Sequence, residues 1–207
     1  MIMIHDPNAQ FKFAGIKALI LFLCIGLAFP LTGCGSRGSD ESVKALSILN
    51  PERDFTLTDQ NGKDFHLKDH RGKVVLLFFG YLSCPDICPV TLSKLTRVYS
   101  LLGGKSKDLL TIFVSVDPQR DTPEKMKEYL SYFKLNALGL TGTKEAIDRV
   151  VDAFKGYYKM NESGSEAGYF VDHSDYVYVI DGQGTVRALA HFEDGADKIA
   201  AEIKRLF

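Results

Sequence analysis

The chain has 207 residues, 45% of them hydrophobic and 25% charged, with a formal net charge of −1. That balance argues against a nucleic-acid binder, which would carry a basic stripe. The length suits one domain with a substantial core.

Lys12 and Lys17 precede an apolar stretch from Ala18 to Pro30 that contains Cys24, the arrangement of a signal peptide. The stretch ends in Leu31-Thr32-Gly33-Cys34, followed by Gly35-Ser36. Small residues just ahead of a cysteine at such a place resemble the bacterial lipobox, which implies cleavage before Cys34 and a lipid on Cys34. The ordinary alternative is an uncleaved anchor with an incidental cysteine at its edge, although the apolar core is short for a span, which needs ~20 residues. The expected organisation is a lipoprotein signal peptide over 1–33, a flexible Gly/Ser-rich tether over 34–50 and a folded domain over 51–207. Loss of Lys12, Lys17 and Asp6 takes the formal charge from −1 to −2. On either reading the chain beyond Cys34 is expected on the extracytoplasmic, oxidising face of the cell membrane.

Within the domain, Asp54 to Leu57 and Asp64 to Leu67 alternate polar and apolar residues about Gln60-Asn61-Gly62, which predicts a β-hairpin. Lys73 to Phe79 reads as a buried strand. Pro89 to Leu102 reads as a helix with Val90, Leu92, Leu95, Val98, Leu101 and Leu102 on its apolar face, ended by Gly103-Gly104. Leu109 to Val116 is a second buried strand. Asp121-Thr122-Pro123-Glu124 marks a helix start, with Asp121 or Thr122 as cap, and the helix is expected to reach Lys134. Ala137 to Leu140 predicts a short strand and Thr143 to Phe154 a helix. Asn161 to Gly168 reads as a polar loop. Tyr176 to Ile180 and Val186 to His191 predict a hairpin, and Gly195 to Leu206 a last helix. The order predicts an α/β protein: a central mixed sheet covered by helices on both faces, with an N-terminal β-hairpin.

Cys84 and Cys88 fall between the first core strand and its helix, in Phe79-Gly80-Tyr81-Leu82-Ser83-Cys84-Pro85-Asp86-Ile87-Cys88-Pro89. A cysteine motif at that junction is the thioredoxin arrangement, with its site at the carboxyl edge of the sheet. Pro89 suits the first turn of a helix, so Cys88 is expected at a helix N-terminus, where the partial positive charge favours a thiolate. The bland reading of two cysteines in an exported protein is a disulfide, but so short a loop gains little chain entropy from closure. Among the five histidines, His5 lies in the leader, and His66, His70 and His191 read as surface residues. His173, in Tyr169-Phe170-Val171-Asp172-His173-Ser174, stands at the entry to the late hairpin, which a thioredoxin-like topology returns to the cysteine turn. Two thiolates and an imidazole suit copper; zinc in a structural site usually takes four protein ligands, and no fourth is visible.

The motifs Gly80-Tyr81, Cys84-Pro85-Asp86-Ile87-Cys88-Pro89, Val116-Asp117-Pro118-Gln119-Arg120-Asp121-Thr122-Pro123, Leu140-Thr141-Gly142-Thr143 and Val171-Asp172-His173-Ser174 together resemble the Sco/SenC family over roughly residues 52–207. Leu82-Ser83 departs from the more usual pair before the first cysteine. The resemblance implies a thioredoxin-like fold and one copper, as Cu(I) or Cu(II), held by Cys84, Cys88 and His173. It also implies a role in assembling the binuclear copper centre of cytochrome c oxidase subunit II, by delivering copper or by reducing that subunit's cysteines. Asp172 is a candidate to orient His173 or to cap its loop, and Tyr81 to shield a metal from water. Asp117, Arg120 and Asp121 read as loop and cap chemistry.

A copper chaperone and a dedicated thiol–disulfide oxidoreductase, with Cys84 and Cys88 as a Cys84–Cys88 redox pair, are the two leading expectations. No proline follows Pro123, so the late loop lacks the proline that thioredoxin-like oxidoreductases place opposite their cysteines, which favours metal binding. A peroxidase is a third reading, weakened by the absence of the Pro-x-x-x-Thr-x-x-Cys loop.

Overall fold

The computed structural model describes residues 54–162 and 168–207. The expected signal segment, Cys34, the tether and residues 51–53 lie outside the described residues. Asp59 opens the fold. Its carboxylate accepts from the backbone N–H groups of Asn61 and Lys63 at 2.8 and 2.9 Å, and Gly62 takes φ +73°, a left-handed conformation glycine adopts without strain. That turn joins β1 (Thr56–Asp59) to β2 (Asp64–His66) as the expected hairpin.

Next come β3 (Val74–Gly80), α1 (Ile87–Leu102), β4 (Leu109–Ser115), α2 (Pro123–Ser131), β5 (Ala137–Thr141) and α3 (Lys144–Ala153). β6 (Tyr158–Glu162), β7 (Tyr169–His173), β8 (Val177–Ile180), β9 (Val186–Ala190) and α4 (Ala196–Lys204) complete the described chain. Seven strands form one sheet in the order β2-β1-β5-β4-β3-β8-β9. β3, β4 and β5 run parallel, while β1 and β8 join antiparallel, so the sheet is mixed, as expected.

The alternation along β3 explains why that run is apolar throughout. Val74, Leu76 and Phe78 pack with Leu92 and Leu95 of α1, Met126 of α2 and Ile199 of α4. Val75, Leu77 and Phe79 face the other way, against Ile147, Val150 and Val151 of α3. A strand buried on both faces needs apolar residues at every position, and each such side chain contributes about 1.5–3 kcal/mol.

Three expectations shift. α1 begins at Ile87, so Pro89 is its third residue; first-turn N–H groups lack intrahelical partners, so proline is tolerated there. α2 stops at Ser131, short of Lys134. The reading of 161–168 as a polar loop is corrected: Asn161 and Glu162 end β6, which pairs antiparallel with β7 from Tyr158↔His173 to Glu162↔Tyr169. Residues 163–167 lie outside the described residues. His173 thus ends a strand of a separate two-stranded ribbon.

Candidate metal centre

Cys84 follows β3 in a tight turn in which its backbone N–H donates to the Tyr81 carbonyl at 3.2 Å. Cys88 sits in the first turn of α1 and is fully buried. Its sulfur lies beneath Gly80, where an added Cβ would stand 2.6 Å from Cys88 Sγ and 2.8 Å from the Phe113 ring. Gly80 is therefore required by close approach, a role its place at the end of an apolar run did not reveal. Both cysteines are free thiols, with Cys84 partly exposed.

β7 brings in the third group. His173 Nε2 stands 3.5 Å from Cys88 Sγ, and the Cys84 sulfur, the Cys88 sulfur and a His173 ring nitrogen all lie within 4.8 Å of one another. His173 Nδ1 lies 2.9 Å from the Ser174 carbonyl. A carbonyl only accepts, so Nδ1 carries a proton and Nε2 is the ring nitrogen that faces the Cys88 sulfur. Ser174 is held in turn by backbone donation to the Tyr157 carbonyl, 2.9 Å, and by accepting from the Tyr157 N–H at its hydroxyl, 2.8 Å. Asp172 does not orient the imidazole: its exposed carboxylate accepts from Asn161 Nδ2 at 2.7 Å. The buried Tyr81 ring meets His173 edge to face at 5.9 Å, which places it as a wall of the site.

The two thiols are electrostatically unlike. Donation from the Cys88 side chain, aided by His173 and by the backbone N–H groups of Cys88 and Asp86 and opposed by burial, lowers Cys84 to about 3. The same thiol–thiol bond, together with burial and the Cys84 charge, pushes Cys88 up. The start of α1 therefore serves Cys84, and the expectation that it would favour a thiolate at Cys88 is corrected: N–H groups of the first turn point at the preceding loop, where Cys84 lies, and away from a side chain packed into the core. Burial would lower His173, but bonding to Cys84 and to the Ser174 carbonyl outweighs it and raises the group.

The other described histidines stay apart from this cluster. His66 pairs with Thr56 Oγ1 at 3.0 Å, His70 stacks on Phe65 with ring centroids 4.8 Å apart, and His191 packs edge-on to Tyr176. Cys84, Cys88 and His173 form the group of three or more candidate ligands found among the described residues.

A dithiol at a strand–helix junction, sharing its site with an imidazole from a separate ribbon, defines a thioredoxin-like protein in which sulfur and nitrogen donors converge at the carboxyl edge of the sheet. The model of the SCO1/SenC family matches residues 47–207, and the chain belongs to that family. It is 42% identical over 195 residues to a SCO2-like protein of Rickettsia prowazekii, covering 93% of this chain and 90% of that one. The structure of Bradyrhizobium japonicum ScoI with copper bound superposes with a TM-score of 0.69 at 37% identity, over 75% of this chain and 98% of that chain. BsSco, described as a Sco-family cytochrome c oxidase assembly protein with a disulfide switch, superposes with a TM-score of 0.59 at 27% identity, over 74% of this chain and 91% of that one.

Proposed function

We propose that this protein is a membrane-anchored copper chaperone that helps assemble the binuclear copper centre of cytochrome c oxidase subunit II. Cys84, Cys88 and His173 hold one copper per chain. The observation that carries the reading is the convergence of two sulfurs and an imidazole nitrogen within 4.8 Å, in a family whose solved members include a copper-bound form. The donor set suits the ion: thiolates favour Cu(I), and the nitrogen extends the site to Cu(II). A three-ligand site leaves a position through which a recipient's ligand can enter.

Ligation needs reduced thiols, because the thiolate is the metal ligand. Titration of the reduced protein should give one tightly held copper per chain. The same protein oxidised to a Cys84–Cys88 disulfide should lose Cu(I) binding and regain it on reduction. Equal Cu(I) affinity in both states would refute the site.

A second reading, dedicated reduction of the recipient's cysteines, is favoured by the inequality of the two thiols. Cys84, lowered and partly exposed, attacks one sulfur of the partner's disulfide and expels the other as thiolate. Cys88, once deprotonated, attacks the Cys84 sulfur of the mixed disulfide. That step releases the partner's second thiolate and leaves a Cys84–Cys88 disulfide, so two electrons pass to the partner. Deletion cells separate the readings: rescue of oxidase by added copper supports delivery, and rescue by a reductant alone supports thiol reduction.

The anchor belongs to the same proposal. A lipid on Cys34 supplies the apolar attachment that the polar tether lacks, and among the described residues no helix is long and apolar enough to cross a membrane. Cys34→Ser should leave the unprocessed precursor; normal cleavage of that variant would reject the lipoprotein reading.

A further inference from the structure

The loop between β4 and α2 holds more buried charge than a cap requires. Thr122, not Asp121, caps α2, its Oγ1 accepting from the Lys125 N–H at 3.3 Å. Asp117 and Asp121 are nonetheless 0% and 1% exposed, and buried carboxylates are costly unless paired. Their partners lie on the two halves of the site. Asp121 Oδ2 accepts from Ser115 Oγ at 2.6 Å and from the Leu82 backbone N–H at 3.0 Å, two residues before Cys84. Asp117 Oδ1 accepts from the Tyr169 hydroxyl at 2.7 Å, and Asp117 Oδ2 pairs with Arg120 Nε. Arg120 donates from Nη1 to the Tyr169 carbonyl at 3.0 Å and lies 3.7 Å above the Tyr169 ring. Tyr169 and His173 are four residues apart on β7, so they share one face of the ribbon.

We infer that this loop is a brace for the site: Arg120, Asp117 and Tyr169 position His173 by clamping the far end of β7, and Asp121 positions Cys84 through Leu82. These are positioning residues; none of them is among the clustered donor groups. β6 and β7 pair with each other and not with the seven-stranded sheet, so the packing of Val171 in the core and side-chain ties of this kind together set where the imidazole stands relative to the thiols. The copper consequences rest on the proposed metal site, whereas the structural consequences do not.

Two variants test the clamp in the full chain, purified in detergent, reduced and metal-free. Tyr169→Phe removes one hydroxyl and keeps the ring and the Arg120–Asp117 pair, so it protects the fold; Arg120→Met removes the guanidinium. Loss of a hydrogen bond to a charged group should raise amide exchange at Tyr169 to His173 by about tenfold or more, with β3 and β4 amides unchanged. On loading with Cu(II), the absorption spectrum should shift and affinity fall about tenfold, while Cu(I) binding, dominated by the two thiolates, stays near wild type. Asp121→Ala should do the converse, speeding exchange at Leu82 to Cys84 and moving the Cys84–Cys88 reduction potential while β7 keeps its protection. Unchanged β7 exchange in both Tyr169→Phe and Arg120→Met overturns the brace. So does an equal rise across β3, β4 and β7, which would make the cluster general scaffolding. A wild-type protein that binds no copper but shows the local exchange contrast would refute the metal reading and leave the brace standing.

Discussion

Cys84 and Cys88 sit where β3, buried on both faces, runs into α1, whereas His173 ends a strand whose backbone, among the described residues, pairs with β6 alone. The sulfur half inherits its geometry from the centre of the fold: Cys88 Sγ is lodged against Gly80 and packs in the core with Phe78 and Leu92. The nitrogen half is anchored in the core by Val171 and placed by a few local ties, among them the Ser174 carbonyl, the Tyr157–Ser174 pair and the clamp on Tyr169. A two-stranded ribbon is marginal by itself, so the imidazole is the more easily displaced donor. Thiolate binding should be robust and histidine ligation adjustable, the division that the proposed copper delivery would use.

The largest expected effect breaks that comparison directly. Cys84→Ser or Cys88→Ser should abolish tight Cu(I) binding, because a hydroxyl is a hard, protonated donor at neutral pH. His173→Ala should keep Cu(I) and chiefly weaken Cu(II). Parallel titrations with both ions decide it, and equal losses of both ions in all three variants would show that the halves do not act separately.

A smaller effect sharpens the claim that the sulfur half is packed in place. Gly80→Ala adds a methyl group against Cys88 Sγ and the Phe113 ring. Overpacking of this kind costs about 1–3 kcal/mol, read as a lower midpoint in denaturant unfolding. It should also displace Cys88 and weaken Cu(I) binding, whereas Gly104→Ala, with open space around the added atom, should do neither.

The subtlest test concerns the inequality of the thiols. With Cys84 lowered from 9.0 to about 3, folding favours its thiolate. Its contribution to stability is complete above pH 9 and drains away as the pH falls toward 3. Alkylation of the reduced, metal-free protein should therefore fall on Cys84 and persist well into the acid range, with Cys88 protected by burial and by its raised value. Peptide mapping after brief alkylation at pH 5 and pH 8 reads this out; predominant labelling of Cys88 would reverse the assignment.

Much of this protein is local chemistry that needs no three-dimensional knowledge. The doubly buried β3 and β4 announce themselves as unbroken apolar runs, Thr122-Pro123-Glu124 starts a helix by capping and pre-set φ, and Asp59 with Gly62 writes a turn. The cysteine spacing between a strand and a helix, and the family motifs around it, already nominated Cys84, Cys88 and His173. Tertiary structure decided what depends on partners distant in sequence. The ribbon was not legible because Tyr158 to Glu162 is half-exposed and pairs only with β7, so no apolar run marks it. Gly80 looked like the end of a strand until Cys88 was brought against it from eight residues on. Asp121 looked like a helix cap until the Leu82 N–H and Ser115 hydroxyl were seen to claim it. Which thiol is the thiolate was likewise decided in space. The N–H groups at the start of α1 and the Cys88 side chain converge on Cys84, and the direction in which a helix N-terminus points is a property of the folded chain.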